Sequence, residues 1–239
     1  MPVFRLGQEH VFPPVELAEP DGLLAVGGDL SGGRLLEAYA HGIFPWFSNR
    51  GPVMWWSPDP RFVILPGGLK VSRSMRQVLR RKIFDITMDT SFREVITSCS
   101  MARRRDRGTW ITKEMIDAYV KLHENGYAHS VEAWDNGKLA GGLYGISLGR
   151  TFFGESMFSD VSNSSKAAFI VLAEKLFATG FSLIDCQVHT AHLESLGAVF
   201  ISRSDFINRV NDSLKHETIR GSWNGNSLLE SPSENYSAE

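Results

Sequence analysis

The chain has 239 residues, 43% of them hydrophobic, with a formal charge of −2 at neutral pH. That length allows one large or two smaller domains with a proper core, and the near-zero charge argues against a general nucleic-acid binder. No apolar run of about 18 residues and no charged-then-apolar start occurs, so neither a membrane span nor a secretion signal is expected.

Residues 1–62 are rich in Pro, Gly and Trp, which allows one short helix, "SGGRLLEAYAHG" with Ser31 as a cap, and otherwise turns and brief strands. This reads as a small N-terminal domain that ends at Pro58 and Pro60. Regular elements follow: strand "RFVILP", helix "SRSMRQVLRRK" capped at Ser72 or Ser74, strand "FDITMD", helix "SFREVITSCSMAR", and helix "TKEMIDAYVKLHENG" from Thr112 to Gly126. Three strands then come with hairpin signals: "AHSVEAWD", the turn "NG" at 136–137, "KLAGGLYGISLG" and "TFFGESMFS". The long helix "NSSKAAFIVLAEKLFATG" leads to strand "FSLIDCQV", helix "HTAHLESLG" and the closing segment "AVFISRSDF". The order predicts an α/β or α+β domain over 63–223, an antiparallel meander to which a crossover helix adds a parallel strand; of the two, α+β is the fold class expected. The polar, Ser-rich stretch 224–239 reads as a disordered tail.

Two features of these strands point to chemistry. In "FSLIDCQV", alternation puts Asp185 and Gln187 on one face and Ile184, Cys186 and Val188 on the other. In "TFFGESMFS" it puts Phe153, Glu155 and Met157 on one face, with Phe152, Gly154 and Phe158 opposite. Two acids and an amide inside apolar strands are costly unless paired or used, and three together favour a site over isolated structural polar residues. No Walker loop, G-x-S-x-G or dinucleotide-binding fingerprint is present, and the seven His form no metal-ligand pattern, so no cofactor and no metal are expected. The cysteines, Cys99 and Cys186, lie outside any C-x-x-C pair, which fits a cytoplasmic location; Cys186 reads as a buried structural thiol, and His189 and His192 as surface or helix-start residues.

Basic residues crowd two segments, Lys70, Arg73, Arg76, Arg80, Arg81 and Lys82 in one, Arg103, Arg104, Arg105 and Arg107 in the other. They read equally well as solvated surfaces or as phosphate contacts. Trp46, Trp55, Trp56 and Trp110 sit in loop-like contexts where burial is the default role. Trp110, just after the second basic run, has the setting of a base-stacking platform, where one aromatic contributes ~1–3 kcal/mol per base.

Taken in order, "GLLAVGGDLS", "GIFPWFS", "WWSPDPR", "GTWIT", "GESMFS" and "IDCQV…SLGA" resemble the leucyl/phenylalanyl-tRNA–protein transferases, from about residue 12 to 223. The resemblance implies a cytoplasmic aminoacyltransferase with a GNAT-like catalytic domain. It would move Leu or Phe, less readily Met, from aminoacyl-tRNA to the α-amino group of proteins beginning with Arg or Lys, marking them for degradation. It further implies a catalytic set of Asp185, Gln187 and Glu155, and Trp46 and Trp110 at the terminal adenosine. The aminoacyl side-chain pocket would comprise Met157, Leu143, Phe152, Phe169, Leu172, Leu176 and Ile184. Phosphate contacts are expected from Arg73, Arg76, Arg80, Arg81 and Lys82, and a monomer is expected. On this reading Asp185 orients and polarises the Gln187 amide, Gln187 positions the amine, and Glu155 and Asp185 together attract the cationic acceptor. An acyl-CoA-dependent acyltransferase, or a tRNA-end binding module without catalysis, are the alternatives; the strand-to-helix junction "ESMFSDVSNSSKAA" lacks the phosphate loop the first would need.

Overall fold

The computed structural model describes residues 3–48, 51–106 and 110–225, apart from the side chains of 103–106. Its elements in chain order begin with β1 (Phe4–Leu6), β2 (Leu23–Gly27), α1 (Gly32–Ala40), β3 (Phe44–Pro45), β4 (Met54–Trp56) and β5 (Arg61–Ile64). Next come α2 (Arg73–Arg80), β6 (Asp85–Met88), α3 (Phe92–Asp106), α4 (Lys113–Glu124), β7 (Ala128–Asp135), β8 (Lys138–Leu148) and β9 (Thr151–Ser159). The chain continues with α5 (Ser164–Ala178), β10 (Leu183–Gln187), α6 (Ala191–Ser195), β11 (Val199–Ile201) and α7 (Arg203–Ser213).

Strands β1–β4 form a four-stranded sheet in the order β1-β2-β4-β3, and the others a seven-stranded sheet in the order β11-β5-β10-β9-β8-β7-β6. The expected meander is there. β7, β8 and β9 pair antiparallel, the β7–β8 turn uses Asn136 and Gly137 at positive φ, and α5 crosses over to place β10 parallel to β9. Hydroxyls cap α2 and α4: Ser72 accepts from the Met75 N–H at 3.2 Å and Thr112 from the Met115 N–H at 3.3 Å, whereas Ser31, expected to cap α1, holds that position without a side-chain cap bond. Helix α7, capped by Ser202, follows β11 and has no counterpart in the expected elements.

The large sheet is covered on both faces. Val63, Tyr144, Phe153 and Phe158 face a cluster that includes Tyr39 of α1, Tyr119 of α4 and Phe206 of α7. Phe62, Leu143, Phe152 and Ile184 face a second cluster, built with Met75 of α2 and the apolar stripe of α5. The first cluster also contains Leu24, Leu35 and Trp55, so the small sheet and the large one share a core. Among the described residues no helix is long and apolar enough to cross a membrane. Residues 226–239 of the expected tail lie outside the described residues.

One feature of the sheet positions everything that follows. β9 and β10 pair only from Leu183↔Thr151 to Asp185↔Phe153, after which β9 runs on to Ser159 and β10 to Gln187 without further pairing to each other. The sheet therefore opens between its two central strands.

Candidate active site

Asp185 lies at the last position of β10 paired to β9, fully buried, where water cannot solvate a carboxylate. Its compensation is Arg61, the first residue of β5. Nε donates to Oδ1 at 2.8 Å and Nη2 to Oδ2 at 2.6 Å, a bidentate fork. The guanidinium is held between the rings of Phe44 and Phe206, at 4.7 and 4.5 Å from their centroids, and its Nη1 donates to the Gly42 carbonyl at 3.2 Å. Asp185 Oδ1 also accepts the backbone N–H of Gln187 at 2.9 Å. That bond braces an irregular turn: the β10–β5 register slips between Asp185 and Gln187, and Gln187 has φ +61°, in the left-handed region.

A matching irregularity lies across the opening. The β8–β9 register runs Gly145↔Gly154 and then Tyr144↔Ser156, leaving Glu155 as the extra residue of a bulge. Opposite it Gly145 is required, because a Cβ there would stand 2.3 Å from the Phe153 carbonyl oxygen and 2.6 Å from the Phe152 ring. Glu155 faces the first core cluster, where Oε1 accepts from the Tyr39 hydroxyl at 2.7 Å and Oε2 from the Tyr119 hydroxyl at 3.0 Å; the two hydroxyl oxygens also lie in contact, and with one proton each they give both to the ionised carboxylate. Oε1 accepts in addition from Nε2 of Gln187, at 2.6 Å, across the gap between the strands. With Nε2 committed to Glu155, Oε1 is the end of the amide left to accept a further hydrogen bond.

Among the described residues no cation pairs with Glu155. Burial raises its pKa to about 7, against the three donors, which favour the ionised form; the Asp185 charge raises it further. The two tyrosine hydroxyls are held well above their ordinary pKa, first by burial and then by the Glu155 charge, so they remain donors. The Cys186 thiol is pushed up by burial and by Asp185, which makes it a poor nucleophile.

Glu155 and Gln187 stand at the wall of a cavity of about 320 Å³, large enough for a small ligand. Trp46 and Trp110 line one part of it; Trp46 is 44% exposed and Trp110 half-buried. Leu143, Phe152, Met157 and Phe169 line an apolar part. His192 contributes a buried Nε2 that has no hydrogen-bond partner, on a ring kept neutral by burial and by Lys166. Among the described residues no three His, Cys, Asp or Glu side chains converge to hold a metal ion.

The structure brings together Asp185, Gln187, Glu155, Trp46, Trp110, Met157, Leu143, Phe152 and Phe169 as expected. It corrects other expectations. The simple alternation along β9 fails: beyond the bulge Met157 packs with Phe152 in the second cluster, and Phe158 with Phe153 in the first. Leu172, Leu176 and Ile184 do not line the cavity; they are fully buried in the layer behind the lining. Asp185 does not reach the Gln187 side-chain amide, which Glu155 holds instead. Nor can Asp185 lend net negative charge to an incoming cation, since Arg61 neutralises it. His192, expected at the surface or at a helix start, lies in the first turn of α6 and also lines the cavity. Cys186 shares the second cluster with Ile184 and lines the cavity too.

Arg73, Arg76, Arg80, Arg81 and Lys82 are all exposed along α2 and the turn after it, well outside the cavity lining. The side chains of Arg103, Arg104, Arg105 and Arg107 lie outside the described residues. Arg61, Tyr39 and Tyr119 belong to the site and were not singled out by sequence. Arg61 sits inside the quoted "WWSPDPR" segment, and a cation opening a strand otherwise fully apolar was the available signal; the tyrosines occupy ordinary core positions of their helices.

Comparison with known proteins is unambiguous. The family described as leucyl/phenylalanyl-tRNA protein transferase matches residues 63–211, and the N-terminal domain of that family matches residues 28–59. A leucyl/phenylalanyl-tRNA–protein transferase of Desulforapulum autotrophicum is 58% identical over 224 residues, covering 93% of this chain and 98% of that protein. One of Syntrophus aciditrophicus is likewise 58% identical over 224 residues, covering 93% and 94%. Among solved structures, L-PGS from Bacillus licheniformis is 12% identical with a TM-score of 0.39, over 83% of this chain and 66% of that one, too loose a likeness to decide a fold family. The six motifs, both halves of the family's architecture and near full-length identity converge, and the chain belongs to the leucyl/phenylalanyl-tRNA–protein transferase family.

Proposed function

We propose that this protein transfers Leu or Phe, and less readily Met, from aminoacyl-tRNA to the α-amino group of proteins beginning with Arg or Lys, marking them for degradation. The observation that carries the reading is the Gln187 amide pinned to Glu155 at the wall of a cavity that is apolar on one side and flanked by two tryptophans on the other. The aminoacyl side chain occupies the part lined by Leu143, Phe152, Met157 and Phe169, and Trp46 and Trp110 hold the terminal adenosine. The meander, the crossover α5 and the opening between β9 and β10 support a GNAT-like catalytic region over 63–223, with residues 1–62 as a smaller domain. The enzyme acts as a cytoplasmic monomer without a cofactor.

An aminoacyl ester is already activated, so no covalent enzyme intermediate is required. The amine nitrogen forms the new bond to the ester carbonyl carbon, the ester C–O bond breaks, and the amine proton ends on the leaving ribose oxygen. An α-amino group has a pKa of ~7.7–8.0, so a useful fraction is neutral near pH 7. Gln187 Oε1 accepts a hydrogen bond from that amine and sets its line of attack, and ionised Glu155 polarises the amide through Nε2. Asp185, saturated by Arg61 and the Gln187 N–H, is the positioning residue of the turn that carries Gln187. Glu155 is then the remaining carboxylate of the set to favour a cationic acceptor. The exposed α2 cluster, Arg73, Arg76, Arg80, Arg81 and Lys82, meets tRNA phosphates, which makes binding salt-dependent and independent of sequence.

A transfer assay tests the reading, with Leu-tRNA, Phe-tRNA or acetyl-CoA as donor and Arg-initiated or Ala-initiated peptide as acceptor. Transfer from both charged tRNAs to the Arg peptide, and none from acetyl-CoA, is the expected result. A Gln187→Ala variant that binds tRNA normally and transfers at the wild-type rate overturns the role given to Gln187.

A further inference from the structure

Near the end of the described chain, residues 218–223 form no helix or strand, yet a series of contacts holds them against the body of the protein. Thr218 Oγ1 accepts the Gly149 N–H at 2.8 Å. The Arg220 guanidinium lies 4.5 Å over the Tyr127 ring and donates to the Asn125 carbonyl at 3.1 Å. Gly221 donates to the Gly126 carbonyl at 3.3 Å, and a Cβ on Gly126 would stand 2.2 Å from the Gly221 nitrogen, so the strap passes only because that position is glycine.

The strap ends in Trp223, which is 2% exposed. Its indole lies parallel to the buried imidazole of His129, with centroids 3.6 Å apart and planes within 7°. Its backbone N–H donates to Asp89 Oδ2 at 2.7 Å, the oxygen that also pairs with His129 Nδ1 at 2.8 Å. Its Nε1 donates to the Ile219 carbonyl at 3.2 Å. The indole is thus held by the His129 stack, by its Nε1 bond and by the Phe181 ring, edge-on at 6.4 Å, while the backbone bond to Asp89 fixes its Cα. Its ring also stands 6.0 Å from that of Phe152, and Phe152 lines the cavity.

We propose that Trp223 is a donor-specificity residue: through Phe152 it sets the depth of the aminoacyl side-chain pocket and so excludes side chains larger than phenylalanine. This inference rests on the aminoacyl pocket assigned under Proposed function. A cavity wall of one ring would simply rotate away from a larger ligand; a ring backed by a second, immobile ring cannot, because the interior is close-packed and yields little. One methylene of pocket space changes discrimination ~10–200-fold, so the loss of one ring from the wall is large enough to read in donor ranking.

The test compares kcat/KM for Phe-tRNA and for tRNA misacylated with Trp in four proteins: wild type, Trp223→Phe, Trp223→Leu and Phe152→Leu. The expected result is a Trp-to-Phe donor ratio that rises at least ~10-fold in all three variants, with acceptor KM unchanged. Trp223→Phe keeps an aromatic ring on His129 and preserves the fold, which a thermal melt checks. If Phe152→Leu shifts the ratio and neither Trp223 variant does, the role of Trp223 is overturned and the pocket assignment stands. If Phe152→Leu leaves the ratio unchanged, the pocket assignment itself fails. Equal losses for both donors in the Trp223 variants make the residue structural only and also overturn the proposal.

Discussion

Asp185 and Glu155 sit on neighbouring strands, β10 and β9, both almost or fully removed from water, and they are compensated by different chemistry. Asp185 faces a full positive charge in a bidentate fork, with Arg61 itself clamped by two rings. Among the described residues Glu155 faces neutral donors, two tyrosine hydroxyls and the Gln187 amide. Coulombic pairing with Arg61 offsets the desolvation of the first carboxylate. Dipoles offset only part of the desolvation of the second, which therefore titrates at about 7. Of two buried carboxylates on neighbouring strands, Asp185 thus serves as a strut held by Arg61 and Glu155 as a proton-sensitive contact.

The sharpest way to break this comparison is to remove the cation. Arg61→Met strands the Asp185 charge in the sheet and should cost about 3–5 kcal/mol in urea unfolding, with the double variant Arg61→Met/Asp185→Leu recovering most of it. A single-variant loss below about 1 kcal/mol means that the clamp does not hold the fold.

Glu155→Gln comes next. In the folded chain Glu155 keeps its proton up to about 7, while unfolded it releases it near the ordinary 4.5. Between those values the folded state binds the extra proton, so this group's contribution to stability falls as pH rises through the window and is lost above about 7. The difference amounts to about 3 kcal/mol. Unfolding midpoints from pH 5 to pH 8 should show the Gln variant gaining on wild type by that order, and parallel pH curves rule the shift out.

Tyr119→Phe sharpens the comparison more gently. It removes one donor to the ionised carboxylate, costs about 1.5–3 kcal/mol at pH 8, and moves the Glu155 titration further up, since hydrogen bonds to the charged form had been lowering it. A titration seen by carbonyl infrared absorption that stays put or moves down contradicts this. Smallest is Cys186→Ala. The thiol lies between Asp185 and Gln187 in sequence but bonds neither side chain, so the variant should lose about 1 kcal/mol and leave the transfer rate and its pH dependence as in wild type.

The parts of this arrangement that sequence exposes are those written in local patterns. The β7–β9 meander shows through its strand periodicity and the Asn136-Gly137 turn, and Asp185 and Gln187 stand out as polar residues in an apolar run. The bulge at Glu155 is silent, because an extra residue leaves the run of letters along β9 looking like unbroken alternation while it reverses every side chain beyond it. The partners that decide protonation are distant in the chain: Tyr39 lies 116 residues from Glu155, and Arg61 lies 124 from Asp185. Helix α7 escaped notice because a polar surface helix with few buried positions, Phe206, Val210 and Ser213, carries a weak apolar period. Trp223 gave no local signal of any kind. Its importance comes from what it stacks on, and neither His129 nor Phe152 is near it in sequence.

On the proposed mechanism Glu155 is the carboxylate that acts on Gln187, and it acts in its ionised form. The decisive measurement is the pH dependence of single-turnover transfer to an Arg-initiated peptide, at saturating Phe-tRNA, in wild type and in Glu155→Gln. Wild type should rise through a limb near 7 and a second near ~8 from the acceptor amine, and the variant should be slower and keep only the second. A variant that retains the limb near 7 would place that titration elsewhere and contradict the assignment.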